Sequence, residues 1–296
     1  MLKKIAITFI PFAMLLLYSF IACFIGYGLF LLLDGAIELR RLISRTTQVV
    51  LILSIYPVMR WLNNSAADLG FIAFKPFIKQ LVSGVALGIV TLLPVLLLSY
   101  ALGITVFDET VNWHLGKVLT SLLVTFLLAV LISLLEEPMF RGILITAYLK
   151  RIGVAATIFV SSFYYAILHF IKTKTVIPIE SVSITDSFAL MAEAFQNLLN
   201  AEHLGAFWAL LMVGVFLAIM RTRLQLSLAW CIGCHAAWVW QIKMAHKITE
   251  VNYSSDLLYL ISPYDGVIGP MVAMWLSAVV CMFFGYEYFL MSKVRG

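Results

Sequence analysis

The stretch VLTSLLVTFLLAVLISLLEEPMFRGILITAYL, residues 118–149, decides the fold. A helix needs about 20 apolar residues to cross the hydrocarbon core of a bilayer. This run exceeds that, and its only charges are Glu136, Glu137 and Arg141. Seven further apolar runs repeat the pattern, at roughly 6–33, 47–62, 81–107, 153–171, 205–220, 224–245 and 267–290. Backbone polar groups in lipid must be satisfied within the segment, so such runs are helices. The prediction is an all-α, polytopic transmembrane helix bundle of about eight spans, with residues 1–296 forming a single integral-membrane domain. Composition agrees: 63% of the 296 residues are apolar and 12% are charged, with a mean hydropathy of +1.03. Soluble domains are nearer half apolar and a quarter charged. A soluble enzyme, a nucleic-acid-binding domain and a disordered chain are thereby excluded.

No repeat, low-complexity tract or soluble domain interrupts the pattern, and no cleavable signal is expected, because the first apolar run is too long for one. The polar stretch 172–204 reads as a loop between helices. With eight spans the termini share a side. Lys3, Lys4, Lys293 and Arg295 then join Arg60, Lys75, Lys79, Lys150, Arg151, Arg221 and Arg223, facing the single acid Asp68. The other side carries Arg40, Arg41, Arg45, Lys117, Lys172, Lys174 and Lys247, together with most of the acids. The excess of Lys and Arg predicts both termini in the cytoplasm, although the Arg40, Arg41, Arg45 cluster pulls the other way. The predicted location is the inner or plasma membrane of a bacterium.

A few ionisable residues remain inside spans: Glu136, Glu137, Arg141, His169, His235, Lys243 and Glu287. Charges at bilayer depth are costly, so they face a partner or a polar cavity. Glu137 and Arg141 are four apart and share a helical face. Glu136 is turned about 100° from Glu137 and points elsewhere. Pro138 lacks an N–H and should kink the helix. Counted from the basic end of each helix at about 1.5 Å per residue, Glu136, His169 and His235 lie at roughly 22, 24 and 18 Å. Three helices thus bring a carboxylate and two imidazoles to one layer, which predicts one site within the membrane. Apolar confinement favours proton uptake by a carboxylate, which suits a general base for water. Histidines can stabilise an oxyanion or bind a metal. The chemistry predicted is hydrolysis, most plausibly of a peptide bond.

Glu136-Glu137-Pro138-Met139-Phe140-Arg141 resembles the E-E-x-x-x-R signature of the CAAX-protease and bacteriocin-processing family of intramembrane proteases. Tyr165 to His169 is similar to its F-x-x-x-H motif, with Tyr for Phe, and His235 opens its H-x-x-x-N/D motif. The resemblance is strongest over 118–245. It implies an eight-helix glutamic endopeptidase, similar to type II CAAX prenyl endopeptidases. Glu136 would activate water, Arg141 would fix Glu137, and His169 and His235 would polarise the site. No cofactor is expected. One departure stands out: Val239 occupies the place of the family's Asn or Asp, so Gln241, Trp238 or backbone would have to substitute, or the site is slow or inactive.

Plainer readings exist for each residue. Glu137 and Arg141 alone could be a packing pair, and a lone membrane His is more often a helix-to-helix hydrogen bonder. His114, His203 and His246 read as solvated, and Lys243 as snorkelling to the interface. Cys231-Ile-Gly-Cys234-His235 matches the C-x-x-C-H haem pattern, but lies mid-span, so packed thiols are expected. A zinc site from Cys231, Cys234, His235 and His169 is conceivable but disfavoured. Gly84 and Gly88 fit close helix packing. The expected partners are the bilayer and a membrane-associated peptide or protein substrate, cut near the outer leaflet beneath the 172–204 stretch; no nucleic acid is expected. The alternative is a non-catalytic immunity or regulatory protein on the same scaffold. A proton-relaying transporter should show repeated broken helices, and the sequence has none.

Overall fold

The computed structural model describes residues 2–111 and 114–295, with side chains from Ile5 to Phe289 within them. Lys3, Lys4, Lys293 and Arg295 therefore fall outside the described side chains. The architecture is an all-α polytopic bundle. A short α1 (Leu2–Thr8) leads into α2 (Ile10–Leu32), followed by α3 (Leu39–Trp61) and α4 (Phe74–Ala101). Next come α5 (Leu115–Glu137), a π-helical turn (Pro138–Leu144) and α6 (Ile145–Ile152), which together run as one rod. The chain continues through α7 (Val154–Leu168), α8 (Ile184–Gln196), α9 (Leu204–Thr222), α10 (Leu228–Ile248) and α11 (Pro270–Arg295).

Among the described residues, six helices are long and apolar enough to cross a membrane: Ile5–Leu32, Leu39–Trp61, Phe74–Ala101, Leu115–Ile152, Ala201–Thr222 and Pro270–Phe289. The other two expected spans fall short, α7 in length, at 15 residues, and α10 in apolarity. There is a physical reason for α10. Its first half, from Leu228 to Trp238, is almost wholly buried among other helices, so lipid does not dictate its composition. These two are the helices that carry His169 and His235.

Connections gather at two ends, so successive segments alternate in direction. At one end Gly35 lies against Ile179, and Arg40 Nη1 donates to the Thr173 carbonyl at 3.5 Å. There β1 (Thr105–Phe107) pairs antiparallel with β2 (Thr249–Val251), Thr105 opposite Val251. At the other end Thr146 and Arg221 both donate to the Asp68 carbonyl, at 3.1 and 3.3 Å, and Arg223 pairs with Glu287 at 2.9 Å.

Three expectations are corrected. The third span starts at Phe74 and stops at Ala101, because Gly103, at φ +67, ends the helix and β-branched Thr105 and Val106 pair as strand. The second starts at Leu39, so Arg40, Arg41 and Arg45 are helical; Glu38 neutralises the first two, at 2.6 and 2.9 Å. The 172–204 stretch is more than a loop. It contains α8, which lies along α2 with Phe188 against Phe20 and Phe24, and Phe195 against Phe12. Ser183 and Asp186 start α8 with a reciprocal capping box.

Those capping bonds, first from the Ser183 hydroxyl and then from its N–H, hold the Asp186 carboxyl below the usual carboxylate range. The folded-state value is thus lower than the unfolded one. The cap's contribution is complete above about pH 4, the ordinary carboxylate value, and is lost as pH falls through the lowered folded value. Hydrogen exchange of the α8 amides should accelerate, relative to the intrinsic rate, between pH 6 and pH 3. Ser183→Ala should expose the same amides at pH 6.

α4 and α10 approach each other closely. A Cβ on Gly84 would meet the Trp230 carbonyl at 2.4 Å, and one on Gly88 the Cys234 carbonyl at 2.5 Å. On the facing helix, a Cβ on Gly233 would sit 2.1 Å from the Leu81 carbonyl oxygen. Backbone cannot give way as a side chain can. Gly233→Ala should therefore destabilise the protein by about 1–3 kcal/mol, read as a lower melting temperature in detergent. Gly28→Ala, with nothing within 4 Å, should be neutral or stabilising.

Candidate active site

Along α5 the buried positions are Thr125, Ala129, Ser133 and Glu137, four residues apart, and Arg141 continues the row. Leu123, Leu127 and Leu131 are exposed on the other face. The helix is thus polar inside and apolar outside, as lipid demands. That periodicity carries Glu137 and Arg141 inward, both 0% exposed, and leaves Glu136 at the edge, its side chain 31% exposed. Pro138 interrupts the ordinary ladder here. The chain responds with seven residues of wider π winding, so the expected kink takes the form of a π-helical turn.

Glu137 is held from two sides. Its Oε1 accepts from Arg141 Nη1 at 3.2 Å and from His235 Nδ1 at 2.8 Å. Arg141 also donates Nη2 to the Gly214 carbonyl at 3.4 Å, and its guanidinium lies 4.4 Å from the centre of the Tyr165 ring. Gly214 lets α9 approach α7 closely, since a Cβ there would sit 2.7 Å from Ser162 Cα. Glu136 accepts no such bonds: its Oε2, like Glu137 Oε2, makes no hydrogen bond among the described residues, and it faces His235 Nε2 at 3.9 Å.

The partners assign the tautomers. A carboxylate paired with arginine only accepts, so in neutral His235 the proton is on Nδ1 and Nε2 is bare. His169 caps α7, and its Nδ1 lies 2.7 Å from the Tyr165 carbonyl, likewise only an acceptor. Its Nε2 is therefore also bare. His169 is within electrostatic reach of Glu136 and His235, and its ring packs on Tyr165 at 4.7 Å. Glu136, Glu137, Arg141, His169 and His235 are thus brought together.

Other expectations change. Trp238 Nε1 donates to Thr91 Oγ1 at 2.8 Å, and Gln241 Nε2 to the Gly88 and Ala237 carbonyls at 3.0 and 3.1 Å. Neither is free to replace the polar residue missing at Val239. His203 is only partly solvated: its ring stacks on Phe170 at 4.7 Å and its Nε2 is buried. As expected, both cysteines are buried in the core: Cys231 Sγ points at the Leu217 carbonyl, 3.6 Å away, and Cys234 packs through its backbone against Gly84 and Gly88. Among the described residues no group of three or more His, Cys, Asp or Glu is arranged to hold a metal ion.

Two phenols escaped the sequence reading. Tyr165 OH lies 3.5 Å from His235 Nε2, and the available signal was a Tyr where the motif has Phe. Tyr264, in the segment before α11, lies under Lys172 Nζ at 4.2 Å and within electrostatic reach of Glu136. Burial, then Asp265 and Glu136, push it up to about 12. No signal in the sequence marked it. Beside His235 lies a cavity of about 40 Å³, reached by Tyr165, Trp238 and Val239. That is room for water.

Residues 118–241 match the family model described as Rce1-like, type II CAAX prenyl endopeptidase. No curated protein and no solved structure matches the chain. All five residues of the cluster fall within the matched region. The matched family is one of intramembrane CAAX-type proteases, and the six long apolar helices among the described residues make the chain a multi-pass membrane protein.

Proposed function

Proceeding from the Rce1-like region at 118–241, we propose that this protein is an intramembrane endopeptidase whose water is activated by Glu136. The observation that carries the reading is the facing pair Glu136 Oε2 and His235 Nε2, 3.9 Å apart, both acceptors in the neutral-imidazole state. A water about 2.8 Å from each offers one proton to either and turns its lone pair outward. Glu136 takes a proton as the water oxygen bonds to the peptide carbonyl carbon. The tetrahedral intermediate then expels the amine, which receives that proton from Glu136, and a carboxylic acid, still carrying the second water proton, and an amine leave. Glu137, fixed by Arg141, keeps His235 in the tautomer that presents Nε2. His169 presents a second acceptor beside the first.

The substrate of this reading is a membrane-associated peptide or protein. An apolar cavity of about 600 Å³ between α2, α7 and α9, lined by Phe12, Tyr164, Phe170 and Phe207, is of a size that receives apolar chains. The basic bias of Arg60, Lys75, Lys79, Lys150, Arg151, Arg221 and Arg223 favours cytoplasmic termini. Val239 favours a second reading, a non-catalytic binder on the same scaffold.

Membrane and secreted proteomes of cells carrying wild type or Glu136→Gln separate the two. Precursors that accumulate only with Glu136→Gln support the protease and supply its substrates. Unchanged proteomes with normally folded protein support the binder.

A further inference from the structure

Hydrolysis at this site develops negative charge on the carbonyl oxygen, and a donor must meet it. The polar side chains around the cavity beside His235 are Thr91, Tyr165, His235, Trp238 and Trp275, and their protons can be accounted for. Thr91 Oγ1 donates to the Leu87 carbonyl at 2.8 Å, Trp238 Nε1 to Thr91, and Trp275 Nε1 to the Thr91 carbonyl at 2.7 Å. His235 Nδ1 is bound to Glu137, and Nε2 of the neutral ring has no proton. His169 donates Nδ1 to backbone, and Val239 donates nothing. The Tyr165 hydroxyl alone in this set has no partner closer than 3.5 Å.

We propose that the Tyr165 hydroxyl is the oxyanion donor, supplying from α7 the hydrogen bond that Val239 on α10 cannot supply. The proposal rests on the hydrolytic reading above. Tyr165 OH and Glu136 Oε2 approach the same imidazole nitrogen, at 3.5 and 3.9 Å. A carbonyl attacked by water at the second can thus turn its oxygen to the first. The phenol is preorganised: its ring is clamped by the Arg141 guanidinium at 4.4 Å, Phe140 at 5.2 Å and His169 at 4.7 Å. The residue is 2% exposed, so water competes little for its proton. Val239 borders the same cavity, which makes the two positions exchangeable as sources of one donor.

The test uses the full-length protein in cell membranes and, as probe, the precursors that accumulate with Glu136→Gln. Tyr165→Phe should slow their processing about 10²-fold, in kcat more than KM, with melting temperature within a few degrees of wild type. Adding Val239→Asn to Tyr165→Phe should recover at least tenfold, which a merely structural role for Tyr165 would not produce. Processing unaffected by Tyr165→Phe, while Glu136→Gln blocks it, overturns this proposal and leaves the protease reading standing. A slow Tyr165→Phe that Val239→Asn does not rescue also overturns it. No accumulation with Glu136→Gln removes the hydrolytic reading, and this proposal with it.

Discussion

Glu136→Gln should lower peptide-bond hydrolysis by roughly 10²–10⁴-fold, the range for loss of a positioned general base, while the melting temperature in detergent stays level or rises. Both halves follow from the same geometry. The amide is nearly isosteric but cannot accept a proton from water at neutral pH. The Oε2 of the carboxylate it replaces makes no hydrogen bond among the described residues and only faces His235 Nε2 at 3.9 Å, so the fold loses little with it. It also sits beside Glu137, and removing one of two adjacent negative charges relieves repulsion. Residues placed for chemistry characteristically cost stability. Glu137→Gln should behave in the opposite sense for the fold, because Glu137 accepts from both Arg141 and His235. The two variants, measured side by side for turnover and thermal unfolding, separate a working carboxylate from a supporting one. Equal loss of stability in both would sink that assignment.

What the sequence made legible was whatever obeyed a period. Apolar runs located the membrane helices, and the four-residue step from Glu137 to Arg141 foretold a pair now seen at 3.2 Å. Similar depth along three helices places Glu136, His169 and His235 in one layer from sequence alone. What stayed hidden depended on packing between distant segments. That His235 binds Glu137 through one nitrogen and faces Glu136 with the other, rather than simply facing a substrate, is set by how α10 rotates against α5, and nothing local encodes it. Tyr165 was visible only as a mismatch to a motif, since a hydroxyl counts for nothing until its neighbours are known. Trp238 and Gln241 were plausible donors by type, and their protons proved to be committed to α4 and to backbone. In α8, a short apolar face between polar ends hid a helix inside what composition presents as a loop.

Arg141→Met is expected to be the most destabilising change in the cluster. The substitution keeps much of the volume but leaves Glu137 buried without its cation, and breaking a buried ion pair from one side costs about 3–5 kcal/mol. Three contacts go at once: the pair to Glu137, the bond to the Gly214 carbonyl and the stack on Tyr165. Arg141→Lys should fall between, because an ammonium cannot supply a planar fork to two acceptors and a ring. Arg141→Met with Glu137→Gln decides whether the charge itself is at issue. With no orphaned carboxylate, the double variant should regain a good part of the lost melting temperature, since replacing both partners of a buried pair is often close to neutral. Its hydrolysis should nevertheless stay low. A glutamine beside His235 can donate an N–H to Nδ1, favouring the tautomer that places the proton on Nε2 and withdraws the acceptor facing Glu136. Recovered stability without recovered turnover would identify the Glu137 charge as the element that sets His235. If the double variant stays as unstable as Arg141→Met, the guanidinium instead holds the bundle through Gly214 and Tyr165, and the charge on Glu137 is secondary.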